Sequence, residues 1–192
     1  MRSPRFRFAA PFMAVALLGS LIPAAASPAL AAGPIPFTIL HTNDVNGQLE
    51  ASGSNPGMAR VAAVVNGVRS SVGASNVLLV DAGDEMHGSL LSNLQKGAPT
   101  IATFNAMGYN VATFGNHEFY WGQTVLGDRT TQATYPFVTA NIVKNDTGSC
   151  ATAGWTKPDF ADDPFTIHTV NGVRVAFVGV TTQETPTITI ST

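Results

Sequence analysis

Val77-Leu78-Leu79-Val80-Asp81-Ala82-Gly83-Asp84 is the stretch that decides the fold. Four consecutive apolar residues read as a strand covered on both faces, the pattern of an interior strand in an α/β sheet. The run ends in two carboxylates separated by Ala82-Gly83. Glycine lets the backbone turn sharply at the carboxyl end of the strand, and open α/β sheets carry their chemistry at that end. The pattern therefore puts Asp84 in a loop just above the sheet. Similar elements lie on either side. A strand over 37–42 runs into Asn43-Asp44-Val45-Asn46-Gly47, and a strand over 110–114 runs into Gly115-Asn116-His117.

Working outward, Met58, Val61, Ala62, Val65 and Val68 recur at three- and four-residue spacing and predict a helix between the first two strands. A second helix is expected over 100–107, stopped by Gly108, and a short fourth strand over 137–140. Near the end, two β runs over 165–170 and 173–178 flank Asn171-Gly172, a strong hairpin signal. Strands alternating with helices, followed by a hairpin, suggest a mixed sheet layered with helices. The 192 residues, 45% of them hydrophobic, suffice for one domain with a substantial core.

Arg2, Arg5 and Arg7 precede a mostly apolar run over 8–22, and small residues follow it. That is the pattern of a secretory signal peptide, assigned here to residues 1–31. Ala29-Leu30-Ala31 offers one cleavage site and a cut after Ala26 another. The run is shorter than the ~20 residues of a membrane span, and Pro11 and Pro23 interrupt or end it, so no stable span is expected. Export to the periplasm, cell wall or medium follows. Without those three arginines the chain has seven basic against twelve acidic side chains, a formal charge of about −5. No basic footprint for nucleic acid is present. Cys150 is the lone cysteine, so no intrachain disulfide can form; its surroundings read as a loop. Asn145-Asp146-Thr147 is an acceptor sequon.

Asp44, Asp84 and Asn116-His117 are 40 and 32 residues apart, and each follows an expected strand. Three strand ends of one sheet can gather such side chains. Carboxylate, amide and imidazole suit hard or borderline divalent ions, and no thiolate is among them. A carboxylate between two metals about 3.5–4 Å apart is the usual core of a two-metal hydrolase. His41 reads as a packed strand histidine, and Asp81 as a carboxylate that holds its loop by accepting backbone hydrogen bonds. Glu118 reads as an acid that orients its neighbour or pairs locally. Phe104, Phe114 and Phe119 read as core.

The segments Ile39-Leu40-His41-Thr42-Asn43-Asp44, Val80-Asp81-Ala82-Gly83-Asp84 and Gly115-Asn116-His117-Glu118-Phe119 resemble the motifs of calcineurin-like metallophosphoesterases. More narrowly, they resemble the 5′-nucleotidase and UDP-sugar hydrolase family. Pro56-Gly57-Met58-Ala59-Arg60, Tyr135-Pro136-Phe137 and Val178-Gly179-Val180-Thr181-Thr182 match it in order and spacing. The resemblance implies a four-layer α/β/β/α sandwich, of which residues 36–192 are the N-terminal portion. It implies that Asp44 binds a first metal, Asp84 bridges two, Asn116 binds the second and His117 is catalytic. The ions implied are Zn²⁺, Mn²⁺ or Mg²⁺, and the substrate a nucleotide or related phosphate ester. The chain departs from the pattern at three positions. Asn46, kept as a candidate metal ligand because a neutral amide oxygen can coordinate, replaces a metal-binding histidine; His87 replaces a glutamine, and Tyr120 replaces the carboxylate that orients the catalytic histidine. The family's further metal-binding histidines fall beyond Thr192. The alternative expectation is therefore a truncated or non-catalytic relative that binds metal weakly or acts as a secreted binding protein. Exposed sheet edges and apolar surface would then call for a complementing segment or self-association.

Overall fold

Parallel strands need crossover connections, and the helices of this chain supply them. The computed structural model describes residues 33–144 and 156–189. Its main sheet has four parallel strands in sequential order: β1 (Thr38–Thr42), β2 (Val77–Asp81), β3 (Val111–Thr113) and β4 (Phe137–Val138). Between them run α1 (Met58–Val72), α2 (Leu90–Leu94), α3 (Ala98–Met107) and α4 (Gly122–Gln132). The strand expected from the run of apolar residues is β2, buried along its length except for half-buried Val80. It pairs with β1 from Thr38↔Val77 to Thr42↔Asp81, which aligns the carboxyl ends of the two strands.

Phe104, Phe114 and Phe137 are fully buried, and Phe119 is partly buried against the same cluster. Phe104 stacks on Tyr109 with ring centroids 4.0 Å apart and planes 8° from parallel. Helix α3 ends where the sequence placed the stop: Gly108 takes the left-handed conformation at φ 69°. The Arg69 guanidinium on α1 donates to the carbonyls of Met107 (2.6 Å) and Gly108 (2.9 Å), pairing a cation with the negative end of α3.

The hairpin is β5 (Phe165–Val170) and β6 (Val173–Val178), antiparallel around Asn171-Gly172. It forms a two-stranded sheet of its own, whereas the sequence pattern suggested one mixed sheet. Strand β4 has only two residues, too few for a full ladder. Isolated hydrogen bonds link the two regions instead: the Thr139 amide to the Asp163 carbonyl (3.0 Å), and the Ala140 amide to the Gly179 carbonyl (2.7 Å). One hairpin face stays open and apolar, with Phe165, Ile167 and Val178 all exposed. A last short helix, α5 (Thr185–Ile188), follows.

Helices α2, α4 and α5 were not anticipated. In α4 only Gly122 and Leu126 are buried, so the segment carries no apolar period to read. His41 corrects the sequence reading as well: it is exposed on β1 rather than packed. Cys150, the sequon at Asn145-Asp146-Thr147 and the N-terminal run over 1–31 lie outside the described residues. Among the described residues, no helix is long and apolar enough to cross a membrane.

Phe104→Ala empties a fully buried site at the stack with Tyr109. It is expected to lower the unfolding free energy by about 3–5 kcal/mol, measured by urea denaturation.

Candidate metal centre

The β1 and β2 loops stay zipped together after the strands end. The Ala82 amide donates to the Thr42 carbonyl (2.9 Å) and the Asp44 amide to the Gly83 carbonyl (3.0 Å). The Asn46 amide then donates to the Asp84 carbonyl (2.8 Å) and the Gly47 amide to the Glu85 carbonyl (2.8 Å). To follow this path Asp44, Asn46 and Asp84 all take positive φ, at 53°, 49° and 58°. Asp and Asn tolerate that region better than other side chains, and such strain collects at functional sites.

The third loop is drawn in by Asp84 and Glu118. Asp84 Oδ1 accepts the His117 amide at 2.9 Å. The backbones come close enough that a Cβ on Gly115 would overlap the Asp84 carboxylate. Glu118, fully buried, accepts four amides. Its Oε2 takes Asp84 (2.9 Å) and Gly115 (2.7 Å), and its Oε1 takes Glu85 (3.0 Å) and Met86 (3.3 Å). Four N–H donors around one carboxylate favour the ionised acid. Burial raises the Glu118 pKa, the Asp84 charge adds to the rise, and the amides oppose it.

Beneath the loops lies a layer of buried acids. Asp81 Oδ1 accepts the Gly83 amide (2.8 Å), as expected for a loop-holding carboxylate, and its Oδ2 accepts the Thr42 hydroxyl. Burial pushes its pKa up to about 7, helped by the charge of Glu118. Glu85 is fully buried with neither oxygen hydrogen-bonded. Burial, and then the charges of Glu118 and Asp81, hold its pKa well above the ordinary range.

Of the candidate ligands, Asp44, Asn46, Asp84 and Asn116 all sit on these joined loops. Asn46 Nδ2 donates to the Asp44 carbonyl (3.1 Å), while its buried Oδ1 has no partner. Asp44 accepts the Asn43 side-chain amide on one oxygen only. That donor set, carboxylates with neutral amide oxygens, fits a hard divalent cation. Among the described residues, no three His, Cys, Asp or Glu side chains converge on a point where an ion could be held. A cleft of about 370 Å³ opens beside Asp44, lined in part by His41, Thr42, Gln48 and Asn55. Another, of about 510 Å³, is lined by Phe119, Asn141, Thr181 and Pro186 and contains none of these ligands.

His117 meets His87. Its Nδ1 lies 3.1 Å from the His87 carbonyl oxygen and 3.2 Å from His87 Nδ1. The His87 ring stacks on Tyr120, with centroids 4.2 Å apart and planes 4° from parallel. Burial, and then the nearby His117, lower the His87 pKa. Sequence reasoning missed the reach of Glu118, because an acid after a histidine gives no sign that it will collect amides from a loop about 30 residues earlier. It also gave no reason to expect Glu85 among the buried acids.

The parallel sheet with its helical crossovers is shared with the N-terminal parts of 5′-nucleotidase and calcineurin-like phosphoesterase structures, and this chain is a homologue of that class. Curated relatives include 5′-nucleotidases and the protein UshA. It is 34% identical to the 5′-nucleotidase of Diplobatis ommata over 167 residues, covering 82% of the chain and 28% of that protein. It is 34% identical to UshA of Salmonella pullorum over 155 residues, covering 79% of the chain and 26% of that protein. The chain thus spans a little over a quarter of the length of these relatives. Among solved structures, the 5′-nucleotidase precursor from Thermus thermophilus superposes with a TM-score of 0.62 at 29% identity, covering 77% of this chain and 29% of that one. The calcineurin-like phosphoesterase YfkN from Bacillus subtilis gives 0.61 at 26% identity, covering 78% and 49%. No protein-family model matches the chain.

Two predictions follow from the buried carboxylates. Glu118→Gln turns an NH₂ group toward one pair of the four amides, so the isosteric change still breaks the clamp. It should cost about 2–5 kcal/mol by denaturant unfolding and speed hydrogen exchange at Asp84, Glu85, Met86 and Gly115. For Asp81, pH is the readout. Because its pKa rises from 3.8 to about 7 on folding, the stability it contributes is complete below about pH 4 and is lost as pH climbs to about 7. Asp81→Asn removes that dependence, so the variant should lose about 2–4 kcal/mol less than the parent between those pH values in parallel urea titrations.

Proposed function

We propose that this chain is the metal-binding N-terminal part of an exported phosphoric ester hydrolase of the 5′-nucleotidase type. The observation that carries the reading is the joining of three strand-end loops through Asp84. Its carbonyl accepts the Asn46 amide, its carboxylate accepts the His117 amide, and the carbonyl of the preceding Gly83 accepts the Asp44 amide. Asp44, Asn46, Asp84 and Asn116 would hold divalent metal, Mn²⁺, Mg²⁺ or Zn²⁺. When bound, the metal supplies an activated water and neutralises phosphoryl oxygens. His117 is the general acid–base group beside a nucleotide phosphate. Glu118 keeps the loops at fixed separation, and the 370 Å³ cleft beside Asp44 offers room for part of the substrate. Export is supported by the basic and apolar N-terminal pattern alone. The open hairpin face at Phe165, Ile167 and Val178 suits a complementing segment or self-association.

A second reading, a relative that binds one metal and turns nothing over, draws on a specific observation. Among the described residues, only two of the candidate ligands are acids and no cluster of three metal-binding side chains forms. Calorimetric titration of the full chain with Mn²⁺, followed by hydrolysis of AMP and an aryl phosphate, separates the two. The hydrolase reading expects turnover that EDTA abolishes and that falls at least about 100-fold in Asp84→Asn. Metal binding without turnover supports the second reading. Neither binding nor turnover overturns both.

A further inference from the structure

Among the described residues, no carboxylate is hydrogen-bonded to the His117 ring; the groups facing its Nδ1 both belong to His87, the carbonyl oxygen at 3.1 Å and the imidazole Nδ1 at 3.2 Å. A carbonyl can only accept. His117 Nδ1 must therefore carry the proton in this arrangement, with His87 Nδ1 as a second acceptor, and Nε2 is the unprotonated nitrogen of the neutral ring. His87 is itself held from several directions. Its ring lies flat against Tyr120 at 4.2 Å, and Trp121 meets it edge-on at 5.2 Å and 67°. The backbone after it is tied down too. The Gly88 amide donates to Asn93 Oδ1 (2.9 Å), the Ser89 amide donates to the Asn46 carbonyl (2.8 Å), and a Cβ on Gly88 would overlap Asn46. The His87 carbonyl thus has little freedom to move away from His117.

We infer that His87 is the positioning residue for His117. Its carbonyl sets the tautomer, and its imidazole, packed on Tyr120 and Trp121, sets the plane of the His117 ring. Tyr120 acts through His87 rather than on His117 alone, although it also lies 5.2 Å from that ring. That His117 serves a phosphate ester rests on the function proposed above. That His87 orients it does not.

Long-range ¹H–¹⁵N imidazole spectra of the full chain test the orientation directly, alongside kcat and KM for AMP with Mn²⁺. The parent should show His117 protonated on Nδ1 and His87 protonated on Nε2. In His87→Ala the backbone carbonyl remains, so His117 should stay protonated on Nδ1; with the ring that sets its plane gone, its signals should shift and broaden and kcat should fall about 10–100-fold with KM changing much less. His87→Gln, which keeps a side-chain acceptor near His117 Nδ1, should restore the parent signals and most of kcat. Tyr120→Phe preserves the stacking face and should keep the pattern, whereas Tyr120→Ala should shift it toward that of His87→Ala. An Nε2–H tautomer in the parent overturns the inference. So do His117 signals unchanged in His87→Ala, or unchanged kcat in that variant of an active enzyme. If the parent shows the expected tautomers and does not hydrolyse AMP, the orientation stands and the proposed hydrolase activity falls.

Discussion

A single buried carboxylate holds the upper part of this molecule together. Glu118 leaves water, which is costly for an acid, and offsets that cost by accepting four backbone amides from two loops. Three of those amides belong to consecutive residues, Asp84, Glu85 and Met86, so the chain must wrap around the acid. That wrapping forces Asp84 into positive φ and turns Glu85 into the interior. The arrangement is local in space and remote in sequence, and the strained loop depends on it.

Below the clamp, acids accumulate where few cations reach. Asp81 has a hydroxyl and an amide donor, whereas Glu85 has neither oxygen hydrogen-bonded. Burial raises both pKa values, the charge of Glu118 raises both further, and the charge of Asp81 adds to the rise at Glu85. The sheet therefore supports Asp84 from below with groups that favour the neutral form. The candidate ligands are kept at the loop tips, where Asp44 is exposed and Asp84 half-buried.

Most of the frame was legible because its signals are local. The apolar run at Val77–Val80, the heptad-like spacing from Met58, Gly108 after Met107 and Asn171-Gly172 each report on their own neighbourhood, and each element formed there. The loop-holding role of Asp81 was legible for the same reason: its amide partner, Gly83, is two residues away. What escaped was non-local or aperiodic. Helix α4 buries only Gly122 and Leu126 and owes its place to tertiary packing. The contacts of Glu118 with Asp84, Glu85 and Met86, and of His87 with His117, span about thirty residues and leave no periodic trace. His41 was misread because alternation along β1 says which faces differ, not whether either is covered.

The zipped loops above β1 and β2 have a consequence for how such a chain can vary. Because Thr42 pairs with Asp81 and the ladder continues through Asp44–Gly83 and Asn46–Asp84, the site inherits its geometry from strand alignment. The long crossover through α1 sets no part of that alignment. Its connecting turns could lengthen or shorten over generations without moving the two acidic tips relative to each other. One residue gained or lost between Thr42 and Asn46 would put every later rung out of step. Variation in length is therefore cheap in the crossover and nearly forbidden in the five residues after β1.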